Sequence, residues 1–153
     1  MPKEMYIKKS IEIDKPIIEV YEFLKLIRNH NQFSVWNMAD PHQKVTNSGE
    51  DGTVGYIYSW DSKMKNVGAG TQEITEMKTN EFIAYVIRFD RPMKNLAQAK
   101  FILEELTGNS TNVSWEFRGP TKFPMSLFKG IFEKMLGKDM AKSMDNLKAV
   151  LEK

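Results

Sequence analysis

Residues 81–119 read EFIAYVIRFDRPMKNLAQAKFILEELTGNSTNVSWEFRG. Three runs rich in β-branched and aromatic residues, Glu81 to Asp90, Asn95 to Leu106 and Thr111 to Gly119, are separated by Arg91-Pro92 and Gly108-Asn109-Ser110. Apolar runs of this length between turn-forming residues are strands, and connections this short join them antiparallel. Val113, Trp115 and Phe117 alternate and share one face, expected to be the concave one. Glu116 then points to solvent. Arg88 is expected to pair across the sheet with Glu104 or Glu116. The functional alternative for Arg88 is a pocket mouth, holding an anionic head group.

Working outward, Gly68 to Met77 precedes these runs across Thr79-Asn80. Thr53 to Asp61 alternates, with Val54, Tyr56, Tyr58 and Trp60 on one face, and Ser62 to Val67 is a polar hairpin containing Lys63 and Lys65. Lys44 to Ser48 is a short strand leading into the turn Gly49-Glu50-Asp51-Gly52. Gly55, Gly68 and Gly70 sit inside strand patterns, where glycine weakens a sheet unless it bends it. Further upstream, Met5 to Ile13 alternates as a half-exposed strand. Asp14 is a candidate N-cap and Pro16 suits a first helical turn. Ile17, Val20, Tyr21, Leu24 and Ile27 then recur at helical spacing, so Lys15 to Arg28 is expected to be helical in one or two pieces. Asn29 to Pro41 has no clean period and reads as a short helix or an ordered loop. Pro120 and Pro124 are expected to end the sheet before the last helical segment.

From Pro124 to Lys153, Phe128, Ile131, Phe132, Met135 and Leu136 form one apolar stripe and Met140, Met144, Leu147 and Leu151 another. The stripes are offset by about one residue's rotation, which predicts a break at Gly137-Lys138-Asp139. The expected fold class is α+β, a strongly curved antiparallel sheet of seven strands around the C-terminal helical segment. One domain spans residues 1–153.

The 153 residues are 41% hydrophobic and 27% charged, the balance of a globular chain. A formal net charge of +2 with scattered lysines gives no footprint for nucleic acid. No cysteine is present, which removes disulfides and thiolate chemistry and suits a reducing compartment. No apolar run reaches the length of a signal peptide or a membrane span. A soluble cytoplasmic protein is the expectation.

Several stretches in order carry a resemblance. They are Ile13-Asp14-Lys15-Pro16, Val35-Trp36-Asn37 before Asp40-Pro41, Gly55-Tyr56 leading to Ser59-Trp60, and Gly68-Ala69-Gly70-Thr71-Gln72-Glu73-Ile74. Arg88-Phe89-Asp90-Arg91-Pro92 and Asn112-Val113-Ser114-Trp115-Glu116 complete the set. The chain resembles the START-like or SRPBCC superfamily, in its polyketide cyclase/dehydrase-like branch. That fold is shared with START lipid-transfer domains, birch-pollen-allergen proteins and Hsp90-activator-like proteins. The resemblance implies a helix-grip fold, with a deep apolar cavity between sheet and helix.

Trp36, Tyr56, Trp60, Ile74, Ile87, Phe101, Trp115, Phe128, Phe132 and Met135 are the expected lining of that cavity, and a small hydrophobic or amphipathic molecule its expected occupant. The ten methionines, several in the terminal helical segment, can adapt to an irregular guest or simply fill the core. Candidate catalytic groups are few. His30 and His42 are the only histidines, and neither falls in a metal-binding spacing, so no metal or cofactor is expected. No nucleophile motif frames a serine. His30 reads as a surface or loop residue. Two other functions stay open: a cyclase/dehydratase-like enzyme, which a buried His30, Tyr56 or Tyr85 with a shifted pKa would favour, and a protein-interaction module, which an exposed apolar outer sheet face would favour. Oligomeric state is left open.

Overall fold

The computed structural model describes residues 3–91, 94–121 and 129–153. The chain opens with strand β1 (Lys3–Ile13), helix α1 (Ile17–Leu24), a 3-10 segment (Ile27–Gln32) and the single-turn helix α2 (Val35–Met38). Strands β2 (Lys44–Ser48), β3 (Ile57–Asp61), β4 (Ala69–Lys78), β5 (Phe82–Arg91), β6 (Asn95–Thr107) and β7 (Ser110–Thr121) follow, and helix α3 (Lys129–Leu151) closes the chain. The seven strands form one antiparallel sheet in the order β1-β7-β6-β5-β4-β3-β2. The chain's first strand, β1, thereby pairs with its last, β7, and the sheet curves over α3 in the expected helix-grip arrangement.

Local chemistry explains most boundaries. The helical stretch after β1 is in two pieces because Lys25 and Leu26 leave the helix, and the 3-10 segment starts afresh at Ile27. Its first amides would be orphaned, but the carboxylate of Asp51 accepts from Ile27 N (2.8 Å) and Arg28 N (3.0 Å). Asp14 does not cap α1. Pro16 occupies the N-cap position, and Asp14 instead donates its backbone amide to Glu152 Oε2 at 2.8 Å. The strand expected from Thr53 begins only at Ile57, because residues 53–55 make a turn that ends on Gly55 at φ +97°. Val54 is accordingly exposed, while Tyr56, Tyr58 and Trp60 keep the inward alternation. Pro120 does not end the sheet: it sits within β7, paired with Glu4 of the edge strand β1. Pro92, Pro124 and Phe128 lie outside the described residues.

The expected break at Gly137 is absent. α3 runs without interruption from Lys129 to Leu151. Gly137 marks close packing instead, since a Cβ there would come within 3.2 Å of Lys9 Cε and 3.7 Å of Ile7 Cγ2. The helix therefore lies tight on β1. Its inward residues meet two partners, divided along the helix and not by stripe. Met144 and Leu147 pack into the main core with Ile13, Phe101 and Val113, while Leu136 and Met140 join Met5 and Ile7 in a second cluster. Met135 and Ile131, from the first stripe, are exposed.

Two consequences follow for the sheet. The end of the sheet that carries Ile74, Ile83, Tyr85, Phe101, Leu103 and Val113 is filled by Leu24 of α1, Ile27 and Phe33 at the 3-10 segment, and Met144 and Leu147 of α3, and is solid. At the other end, where Trp60, Ile87, Phe89 and Phe117 line the sheet, the cover is α2, the residues after it and the first half of α3.

Candidate functional site

A cavity of about 280 Å³ fills the space between this second end of the sheet and the first half of α3. Its sheet wall is made by Tyr58 and Trp60 of β3, Gln72 of β4, Ile87 and Phe89 of β5, Ala99 of β6, and Trp115 and Phe117 of β7. Leu136 and Met140 of α3 face them, and His30, Ser34, Trp36, Asn37, Ala39 and Gln43 close one side. Asn66 and Val67, in the β3–β4 turn, close another.

The aromatic wall is held in place by its own contacts. The Trp60 indole donates Nε1–H to Val67 O at 3.1 Å and meets Phe89 edge-on at 6.0 Å between centroids. Gly70 makes this possible. It stands opposite Trp60 in the β3–β4 register, and a Cβ on it would lie 2.8 Å from Trp60 Cη2 while also meeting the Arg88 backbone carbonyl. The β4–β5 register shifts between Ala69 and Gly70, which bends the sheet at this point. Trp36 sits edge-on to Trp115 at 5.7 Å, and Trp115 stacks on Phe101 at 4.9 Å.

Hydrogen bonds tie the cavity's cover down on both sides. Towards the helix, Val35 N donates to Ser143 Oγ at 3.0 Å, and Asn146 Nδ2 donates to Phe33 O at 3.1 Å. Ser143, fully buried, donates its own hydroxyl to Asp139 O. Towards the hairpin, Asp40 Oδ2 accepts from Ser62 Oγ (2.5 Å) and Oδ1 from His42 N (2.9 Å). The Ser62 hydroxyl, followed by the His42 amide, holds the Asp40 carboxyl below its ordinary range. Arg91 Nη2 donates to Asp61 Oδ1 and Ser62 O, fixing the hairpin from the other edge.

His30 is not a surface residue. It is 4% exposed, its ring enclosed by Phe33, Tyr85 and Phe101 at 5.3–5.9 Å, and it forms part of the cavity wall. Burial pushes its pKa down to about 4, so the ring is neutral at pH 7. A neutral imidazole has one N–H, and Leu24 O lies 2.9 Å from Nε2, so Nε2 carries the proton and donates. Nδ1 is left as an acceptor with no protein partner among the described residues. Burial also raises the pKa of Tyr56 and Tyr58, and that of Tyr85 well above the ordinary phenol range.

Of the ten residues expected at a cavity, the fold brings Trp36, Trp60, Ile87 and Trp115 together on one wall. Tyr56, Ile74 and Phe101 are buried in the solid core instead, with the Tyr56 hydroxyl donating to Asn47 Oδ1 at 2.7 Å. Phe132 packs behind the cavity with Met5 and Ile7, and Met135 is 58% exposed on the far side of α3. Phe89, Phe117 and Met140 were missed as lining. The first two follow from alternation with Ile87 and Trp115, a signal present in the sequence. Arg88 pairs with Glu73 Oε1 at 3.3 Å rather than with Glu104 or Glu116, because β4 is its neighbour and brings Glu73 diagonally beside it. Half exposed on the outer face, that pair is worth little, and Arg88 is not at the cavity. Glu116 does face outward, where it accepts from the Tyr6 hydroxyl. A second hollow of about 400 Å³ lies among outward residues including Gln98, Lys100, Glu116 and Arg118, and is the more open and charged of the two.

Among the described residues, no helix is long and apolar enough to cross a membrane. No curated protein sequence matches the chain. Solved structures with the same fold include a protein from Chromobacterium violaceum, 17% identical, with 97% of each chain covered and a TM-score of 0.67. Another is a protein from Mesorhizobium loti, 15% identical, 96% of each chain covered, TM-score 0.69. A third is truncated norcoclaurine synthase from Thalictrum flavum, 11% identical, 98% of this chain and 94% of that one covered, TM-score 0.72. These likenesses are of fold. The sequence itself matches the family described as "Polyketide cyclase / dehydrase and lipid transport" over residues 6–152, and the chain belongs to that branch of the SRPBCC/START-like superfamily.

Proposed function

We propose that the protein binds one compact apolar or amphipathic molecule in the cavity between the sheet and α3. The observation that carries this reading is that all three tryptophans of the chain line the same cavity. A core residue gains most from complete burial among neighbours, and an indole facing a void forfeits part of its dispersion contacts. A guest would restore them, and every 40 Å² of apolar surface it removes from water is worth about 1 kcal/mol.

Size narrows the class. Ligand cavities run from about 300 Å³ upward, so 280 Å³ suits a molecule of one or two rings better than a long acyl chain. Norcoclaurine synthase, of the same fold, has been crystallised with dopamine and hydroxybenzaldehyde, which are compact ring compounds of this kind. A cyclase or dehydratase would need an acid or base at the guest. His30 is the one ionisable imidazole on the wall, and with a pKa of about 4 it is a weak base at neutral pH. Binding without turnover is the better-supported reading.

The test is native mass spectrometry of freshly purified protein, with extraction of any guest, followed by titration with naphthalene and 2-naphthol read by tryptophan emission. The expected result is one small molecule per chain, either co-purified or bound saturably. A chain that carries nothing and shows no saturable response to either compound overturns the proposal.

A further inference from the structure

Among the described residues, no Asp, Glu, Lys or Arg lines the cavity. Asp40, next in sequence to the wall residue Ala39, is engaged by Ser62 and His42. An anionic or cationic guest would lose its hydration here with no countercharge to replace it, which is the most costly transfer a ligand can make. The polar groups that do reach the wall are uncharged.

We infer that the cavity selects neutral ring compounds bearing a hydrogen-bond donor, such as a phenol or an alcohol, with Nδ1 of His30 as the acceptor. This rests on the binding reading above and names the class of guest. Leu24 O fixes the tautomer, because it can only accept, and therefore assigns the donor role to Nε2 and the acceptor role to Nδ1. The aromatic rings of Phe33, Tyr85 and Phe101 around the imidazole offer it no alternative donor by edge or face. Tyr85 has a hydroxyl, but its oxygen is without a hydrogen-bond partner among the described residues, so it does not serve Nδ1. The low basicity of the buried ring keeps it an acceptor rather than a cation at neutral pH. The other wall groups are less committed. Asn37 Nδ2 is held by Asn31 and Gln43 Nε2 by Asn37 O, while Asn66 and Gln72 carry amides that can donate or accept.

Four probes of one shape separate the possibilities at pH 7.5: naphthalene, 2-methoxynaphthalene, 2-naphthol and 2-naphthoate. The expected order puts 2-naphthol first, roughly fivefold to tenfold tighter than 2-methoxynaphthalene, the range of one net hydrogen bond. The anion 2-naphthoate is expected at least about tenfold weaker than 2-naphthol. His30→Phe should abolish the preference for 2-naphthol over its methyl ether, and His30→Gln, which keeps a donor and an acceptor, should retain part of it. Equal binding of 2-naphthol and its ether overturns the inference while leaving the cavity reading intact. So does a preference that survives in His30→Phe, or a best fit by 2-naphthoate. If His30→Phe does not fold, the wild-type series and His30→Gln still decide. Failure of all four probes overturns the binding reading and this inference with it.

Discussion

The two halves of the concave sheet face are built from the same kinds of residue and end in opposite states. At one end of the sheet, Ile13, Leu24, Ile27, Phe33, Ile74, Ile83, Phe101, Val113 and Leu147 are within 1% of complete burial and leave no room. At the other end, Trp60, Ile87, Phe89 and Phe117 are only partly buried and border a void, with Trp115 at the junction. The difference lies in what covers each half. At the solid end α1, the 3-10 segment and the second half of α3 all press on the sheet. At the hollow end α3 is drawn onto the edge strand β1 by the glycine at 137, and what remains above β3–β5 there is a single helical turn and a hairpin, both pinned by hydrogen bonds. A hollow of this kind is a product of where the helix docks, not of a shortage of apolar residues.

The sharpest way to break this comparison is to remove one aromatic ring from each half. Phe101→Ala strips the stack on Trp115 and the support of His30 and Tyr85, and should lower unfolding stability by about 3–5 kcal/mol in urea titration. Phe89→Ala should cost less than about 2 kcal/mol, since one side of its ring already lacks neighbours, and should weaken binding of 2-naphthol. Equal losses at both positions would mean that the two halves are equally packed.

A second effect is a pH dependence carried by His30, which stands where the two halves meet. His30 is lowered from 6.5 to about 4 by burial, so between these values the unfolded chain binds a proton that the folded chain does not. Stability from this group is complete above pH 6.5 and is lost as pH falls towards 4, by about 3 kcal/mol in all. Asp40, Glu133 and Glu152, whose carboxyls are held low, add their own loss only below their ordinary range, so the window from pH 6.5 to 4.5 isolates His30 among these groups. Urea midpoints measured across it should fall for the wild type and stay nearly flat for His30→Gln.

Gly70→Ala comes next. The added methyl must displace the Trp60 ring or the Arg88 strand, at a cost of about 1–3 kcal/mol, with a blue or red shift in tryptophan emission as the indole moves. The smallest effect belongs to Gly137→Ala. Its nearest neighbour is the flexible end of Lys9, so helix propensity should win and stabilise the protein by up to about 1 kcal/mol. A large loss there would instead mean that the helix cannot tolerate any separation from β1.

The succession of strands, their antiparallel pairing through short turns, and the inward faces of β1, of Tyr56, Tyr58 and Trp60, and of β7 were legible in the sequence because alternation and short turns are local signals. Alternation placed Trp60 and Trp115 on inward faces, whereas a cavity beside them, and Trp36 as part of its wall, were expected only from the family resemblance. His30 was not legible in that wall, since its neighbours Phe33, Tyr85 and Phe101 come from segments up to 71 positions away, and nothing local marks a loop histidine as buried. The continuity of α3 was misread from its two offset stripes. Ile131 and Met135 of the first stripe are exposed, Met140 of the second packs with Leu136 on β1, and Met144 and Leu147 enter the main core, so one straight helix serves them all. Which half of the sheet would stay hollow could not be read at all, because it depends on the docking of α3 over β1, a contact between opposite ends of the chain.

The measurement that tests the central claim most directly is a methyl NMR titration with 2-naphthol. Ile87 and Met140 border the cavity, and Ile83 and Met144 are their counterparts in the solid half. The account predicts saturable shifts at the Ile87 and Met140 methyls with Ile83 and Met144 nearly unmoved. Shifts of equal size in both pairs, or in neither, would contradict it.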